Sequence, residues 1–184
     1  MANLPPLRVL VATPAAGAMV TLQYMLSFIA TAEGCRNKRQ GKRPIDLGLY
    51  TLGNESLISR GRDHCAAVAL YQKWDRLFFI DSDQGWTYEQ FEKIVDSDKP
   101  IIGGVTPLKT LPIALNFLPK ESDEFYFKDR MRSYESLIAM REGHGCAEIN
   151  VGYVGTGFLC IDVAKVLMPL SEYAESFRYP NPRT

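Results

Sequence analysis

Leu77-Phe78-Phe79-Ile80-Asp81-Ser82-Asp83 sets four consecutive large apolar residues directly before two carboxylates that flank a serine. A run this short, with no polar alternation, reads as a strand buried on both faces, the form strands take in a parallel sheet. The aspartates stand where that strand leaves the core, and ligands of open parallel sheets bind beyond the carboxyl ends of the strands. In an extended chain residues i and i+2 point the same way, so Asp81 and Asp83 can face one ligand. Like charges held that close repel unless a cation lies between or beside them. Oxygen-only donors suit Mg2+ or Mn2+, and phosphate oxygens fill the positions such an ion keeps open. An Asp-rich turn that closes a strand accounts for the same residues without any ligand.

Outward from this stretch, the chain alternates between the two periodicities. Upstream, Arg8 to Ala12 reads as a buried first strand stopping at Thr13-Pro14. Met19, Leu22, Leu26 and Ile29 then recur at helical spacing, and that helix ends near Glu33-Gly34. Arg36, Lys38, Arg39, Lys42 and Arg43 read as a solvated basic loop, Ile45 to Leu52 as a second strand, and Ser56 to Lys73 as a second helix. Downstream, Thr87 and Gln90 have capping-box spacing, and Trp86 and Phe91 have staple spacing around the same helix start. Pro100 to Val105 is the next strand. The charged region from Lys120 to Gly145 holds a helix near Ser133 to Arg141. Val151 to Ile161 is a late strand broken by glycines, and Asp162 caps a final helix that stops at Met168-Pro169. Strands alternating with helices argue for an α/β fold: a mostly parallel, Rossmann-like central sheet with helices on both faces.

The 184 residues suit one domain spanning 1–184. Hydrophobic residues make up 46% and charged residues 23%, ordinary for a globular chain. Lys+Arg and Asp+Glu are both 21, so a broad nucleic-acid surface is disfavoured. Cys35, Cys65, Cys146 and Cys160 form no CxxC pair and read as buried free thiols, which fits the cytoplasm. Val9 to Ala32 has no charged residue, yet Thr13, Pro14, Gly17, Thr21, Gln23, Ser27 and Thr31 interrupt it, so it reads as strand, turn and helix rather than a membrane span.

Ser59-Arg60-Gly61-Arg62-Asp63, then a helix, then Leu77 to Asp83, resembles family-2-like glycosyltransferases of the GT-A fold, closest to the small bacterial, phage and large-virus members. Val154-Gly155-Thr156-Gly157-Phe158-Leu159 is similar to their "GTGF" strand near the donor sugar, and Val9 to Pro14 to their first nucleotide-binding strand. The resemblance implies metal-dependent transfer of a sugar from a nucleoside-diphosphate sugar to a hydroxyl of a carbohydrate or glycoprotein acceptor. It implies that Thr13 and Pro14 contact the nucleotide and that Arg60 or Arg62 supports the diphosphate. Asp81, Ser82 and Asp83 hold the metal and diphosphate, with Asp81 and Asp83 on Mn2+ or Mg2+, and Gly155, Thr156 and Gly157 lie by the sugar.

Arg60 and Arg62 also stand near a helix start, where backbone N–H groups add to their charge. A bend or bulge accounts for Gly155 and Gly157 without a ligand. Trp86 reads as core or staple before sugar platform, and His144 as a loop residue before third metal ligand. Inverting members carry an acidic motif after the "GTGF" segment as base for the acceptor. No clear copy exists here; Glu172 and Glu175 match poorly. Either the chain stops before the base, another acid serves, or the enzyme is retaining. Two alternatives use the same aspartates: a phosphohydrolase or nucleotidyltransferase, and a non-catalytic nucleotide-sugar-binding domain.

Overall fold

A computed structural model describes residues 4–15, 17–55, 57–107, 115–119, 131–132, 148 and 150–175. Its elements are β1 (Leu7–Ala15), α1 (Leu22–Asn37), β2 (Ile45–Gly53), α2 (Ile58–Tyr71), β3 (Arg76–Ile80), α3 (Tyr88–Val95), β4 (Ile101–Gly103), β5 (Leu115–Pro119), β6 (Met131–Arg132), β7 (Val151–Val154) and β8 (Phe158–Asp162). A π-helical turn (Val163–Leu167) then leads into α4 (Met168–Glu175). The fold is α/β, with a mostly parallel five-stranded sheet in the order β2-β1-β3-β8-β4. The chain divides into two compact units, Met1–Ile102 with Cys160–Thr184, and Gly103–Leu159.

In the first unit, β1 pairs in parallel with β2 along its whole length and with β3 from Val9 to Ala12. Leu77, Phe78, Phe79 and Ile80 are all buried. Each such side chain contributes about 1.5–3 kcal/mol relative to exposure. Phe78 stacks on Phe91 of α3, ring centres 5.3 Å apart. The first strand runs past its expected stop and includes Pro14, opposite Leu52 of β2. The pairing with β3 ends at Ala12, so a residue without an N–H is tolerated there.

Helix α1 departs from its expected orientation. Met19, Leu22, Leu26 and Ile29 are exposed, and Tyr24, Thr31, Gly34 and Cys35 are buried instead. The inward face is polar because its hydroxyls find partners. Tyr24 bonds the buried Thr13 hydroxyl, Trp86 Nε1 donates to Thr31 Oγ1 at 2.8 Å, and Trp86 N donates to Ser27 Oγ at 3.0 Å. Trp86 therefore belongs to the core, edge-on to Tyr24.

In the basic segment Arg36, Lys38, Lys42 and Arg43 are exposed as expected, but Arg36 belongs to the last turn of α1 and Arg39 is drawn inside. Arg39 is 7% exposed; it donates to Arg43 O, Glu92 and Asp96, and Lys42 reaches the same two acids. These charges clamp the α1–β2 connection onto α3, because a buried guanidinium needs paired acceptors.

The capping box at α3 forms as its spacing predicts, with Thr87 Oγ1 accepting from Gln90 N and Gln90 Oε1 accepting from Thr87 N. Asp162 caps as expected, accepting from Lys165 N at 2.9 Å, but what it caps is the π-helical turn. The chain does not stop at Met168-Pro169. Pro169 falls in the first turn of α4, where its missing N–H leaves no bond unmade. Half-buried Arg76 pairs with Asp162, tying β3 to that cap.

Cys35, Cys65 and Cys160 are free and buried. Burial pushes the first two thiols up to about 11 and Cys160 up to about 12, so all three are unreactive at neutral pH. Cys146 lies outside the described residues, as do the expected helix near Ser133 to Arg141 and His144. Among the described residues, no helix is long and apolar enough to cross a membrane.

In the second unit, β5 pairs antiparallel with β6 and with β7. The expected glycine-broken strand is two strands, β7 and β8, joined by a turn. A side chain at Gly103 would meet Val154, and one at Gly104 would meet the Phe158 ring, so both glycines are required by packing.

A Cβ at Gly34 would overlap the Tyr88 ring. Gly34→Ala should therefore lose about 1–3 kcal/mol in urea denaturation, although helix propensity alone predicts a gain of about 1 kcal/mol. The Tyr88 hydroxyl, then Lys42 and Arg39, holds the Glu92 carboxyl below its ordinary value. A lowered folded pKa gives stability that is present above the unfolded value, about 4.3, and lost as pH falls through the folded one. Calorimetry from neutral to acid pH should show that loss, and Glu92→Gln should flatten it.

Candidate metal and diphosphate site

The site forms at the carboxyl ends of three parallel strands. Chain order and strand order diverge here: β1 lies between β2 and β3, so successive crossovers run in opposite directions along the sheet. Right-handed crossovers of that kind leave α1 and α2 on opposite faces and open a crevice between the β1 and β3 ends. The three strand-end loops are tied together. Ala15 O accepts from Asn54 N at 3.2 Å, joining the loops after β1 and β2. Ser82 O accepts from Thr21 N at 2.9 Å, joining the loop after β3 to the N-cap of α1.

Asp81 to Gln84 is a turn closed by Gln84 N donating to Asp81 O at 3.0 Å. The strand is no longer extended here, so alternation does not aim the two carboxylates together. Asp81 turns back to α2, Ser82 is half-buried and Asp83 is exposed. Arg62 Nη2 donates to Asp81 Oδ1 at 3.0 Å, and the guanidinium carbon lies 6.0 Å from the Phe79 ring centre. Arg62 Nε is buried and has no hydrogen-bond partner among the described residues. A buried donor left unmade costs about 1–3 kcal/mol.

The two candidate arginines diverge. Arg60 is 66% exposed and makes a two-pronged pair with Glu55, at 2.6 and 2.7 Å. Between them, the buried Gly61 faces Glu55, Pro14 and Leu52 at a distance where an added Cβ would make only ordinary contacts. Leu57 at the N-cap supplies no side-chain acceptor. Thr13 is fully buried with its hydroxyl on Tyr24, so its side chain serves the core. Continuing the β1–β3 register two places brings Pro14 level with Asp81. The structure thus gathers Pro14, Arg62, Asp81, Ser82 and Asp83 at one strand end and turns Arg60 and Thr13 elsewhere. Gly155, Thr156 and Gly157 form the β7–β8 turn in the second unit, with both glycines buried.

Among the described residues, no three His, Cys, Asp or Glu side chains stand together as a metal cage. The residues present fit a different arrangement. Mg2+ and Mn2+ are commonly held by one or two carboxylates, with substrate phosphates and water completing the shell. Asp81 and Asp83 would supply the carboxylates, and the Arg62 guanidinium beside Asp81 would be the cation facing an anion there. Thr21, Tyr24, Ser27 and Thr31 were missed as positioning residues. Their signal is a polar stripe at i, i+3, i+6 and i+10, counted from the N-cap Thr21.

One solved structure shares the fold. It is the crystal structure of A197 from STIV, with a TM-score of 0.51 and 18% identity, covering 94% of this chain and 70% of that one. At that identity the likeness concerns the fold alone. No family model and no curated protein sequence matches the chain.

Replacing each arginine separates their roles. Arg62→Ala should weaken binding of a nucleoside diphosphate about tenfold or more, the scale of a lost charge-assisted bond. Arg60→Ala should leave it nearly unchanged, because Arg60 is itself exposed to solvent and already paired with Glu55. Equal losses in titration calorimetry would place the diphosphate elsewhere.

Proposed function

We propose that this chain is a GT-A-type, metal-dependent glycosyltransferase domain that takes a nucleoside-diphosphate sugar as donor. The observation that carries this reading is the Arg62–Asp81 pair at the strand-order reversal, with Arg62 Nε buried and unpartnered beside it. A site built this way suits a diphosphate held between a carboxylate-bound cation and a guanidinium.

Mn2+ or Mg2+ would neutralise charge that builds on the leaving diphosphate. In this reading Asp83 is the more direct metal ligand, while Asp81 is oriented by Arg62. Pro14 and the end of β1 line the nucleotide side, and the loop ties through Thr21 and Asn54 keep these groups preorganised. The acceptor is a hydroxyl of a carbohydrate or glycoprotein. Of the acids near the position of that base, Glu172 is exposed.

Calorimetric titration of nucleoside diphosphates, with Mn2+ and then with chelator, tests the reading. Binding should require the metal. Asp83→Ala should abolish the metal-dependent part while its thermal midpoint stays that of the parent chain. Unchanged affinity in Asp83→Ala would refute the assignment. Release of free phosphate from the diphosphate, with no sugar transferred, would favour a phosphohydrolase.

A further inference from the structure

Helix α1 carries its apolar side chains on the side away from the sheet. Leu22, Met25, Leu26 and Ile29 follow the i, i+3, i+4, i+7 spacing of one helical face, and they are 74%, 47%, 57% and 47% exposed. Met19, just before the helix, extends the stripe at 75% exposure. The opposite face, with Tyr24, Thr31, Gly34 and Cys35, already meets the core. A contiguous apolar stripe exposed on one side of a helix marks an interaction surface.

We propose that this face is a dimer interface, and that its occupant is α1 of a second copy of this chain, antiparallel about a two-fold axis near Met25 and Leu26. Charge argues for a second copy. No residue from Thr21 to Ala32 is charged, so the stripe can meet itself without like-charge repulsion. Antiparallel pairing sets Leu22 of each copy near Ile29 of the other. Glu33, which continues the same face, then falls near the N-terminal end of the facing helix, where a carboxylate is favoured. A bilayer surface is a poorer occupant. Helices that lie on membranes carry Lys and Arg along their polar face, whereas the polar face of α1 is buried and its first cation is Arg36.

Area agrees with this choice. Covering the five side chains removes on the order of 600 Å² per copy, against roughly 800 Å² per partner in a standard interface. That shortfall fits a reversible dimer at tens of micromolar chain. The inference rests on α1 alone and does not depend on the proposed activity.

Light scattering and sedimentation velocity on the full chain, from low to high micromolar, test it. The expected result is a concentration-dependent dimer that Leu22→Lys and Leu26→Lys each convert to monomer. Because both positions are exposed, the thermal midpoint at low chain concentration, where the parent is monomeric, should not drop. Tyr71→Lys on α2, an 89% exposed control, should leave the dimer intact. Met25→Cys should form a reducible cross-linked dimer under mild oxidation, a readout independent of the lysine variants. A monomer at every concentration, or a dimer that survives both lysine variants, would overturn the proposal. So would flotation of monomeric chain with anionic phospholipid vesicles that Leu26→Lys abolishes.

Discussion

Strand β3 is flanked on both edges by β1 and β8, and its Leu77, Phe78, Phe79 and Ile80 side chains are all buried. That constraint governs the rest. No polar side chain fits between Leu77 and Ile80, so the first carboxylate arrives where the strand clears its neighbours. Because β1 stops pairing with β3 at Ala12, the ends of the two strands separate just there. Arg62 reaches Asp81 from the first turn of α2, where the buried Gly61 faces Pro14 and Leu52.

What the sequence made legible was what depends on local chemistry. The unbroken apolar run, the Thr87–Gln90 box and the lone cysteines each carry their meaning within a few residues. Alternation of strand and helix was enough for an α/β fold with a mostly parallel sheet. The strand-end aspartates could be located, but not how they point, because a turn between Asp81 and Gln84 replaces the extended geometry. Which of two neighbouring arginines faces the site was not legible. Glu55 and Asp81, five residues before one and 19 after the other, separate them.

The larger misreadings share one cause. Periodicity arguments assign the apolar face of a helix to the interior. In α1 the interior face is polar, and Thr13, Tyr24, Ser27, Thr31 and Trp86 satisfy one another across three elements. A hydroxyl that finds a buried partner loses most of the penalty that would otherwise keep it outside. Arg39 repeats the lesson with charge. Its partners Glu92 and Asp96 lie 53 and 57 residues away, so nothing near Arg39 distinguishes a clamp from a solvated loop.

The bond from Thr21 N to Ser82 O has a mechanical meaning. Thr21 begins a helix whose far side grips Trp86 through Ser27 and Thr31, and Trp86 lies only a few residues beyond Ser82. Backbone and side chains thus close a small ring that runs from the loop into α1 and back to the loop. Displacement of Ser82 is shared with the helix rather than absorbed locally, so the loop behaves as a stiff corner and not as a hinge. The amide proton of Thr21 is the natural gauge of that stiffness. Its exchange with solvent requires the ring to break, and it reports each opening without any label.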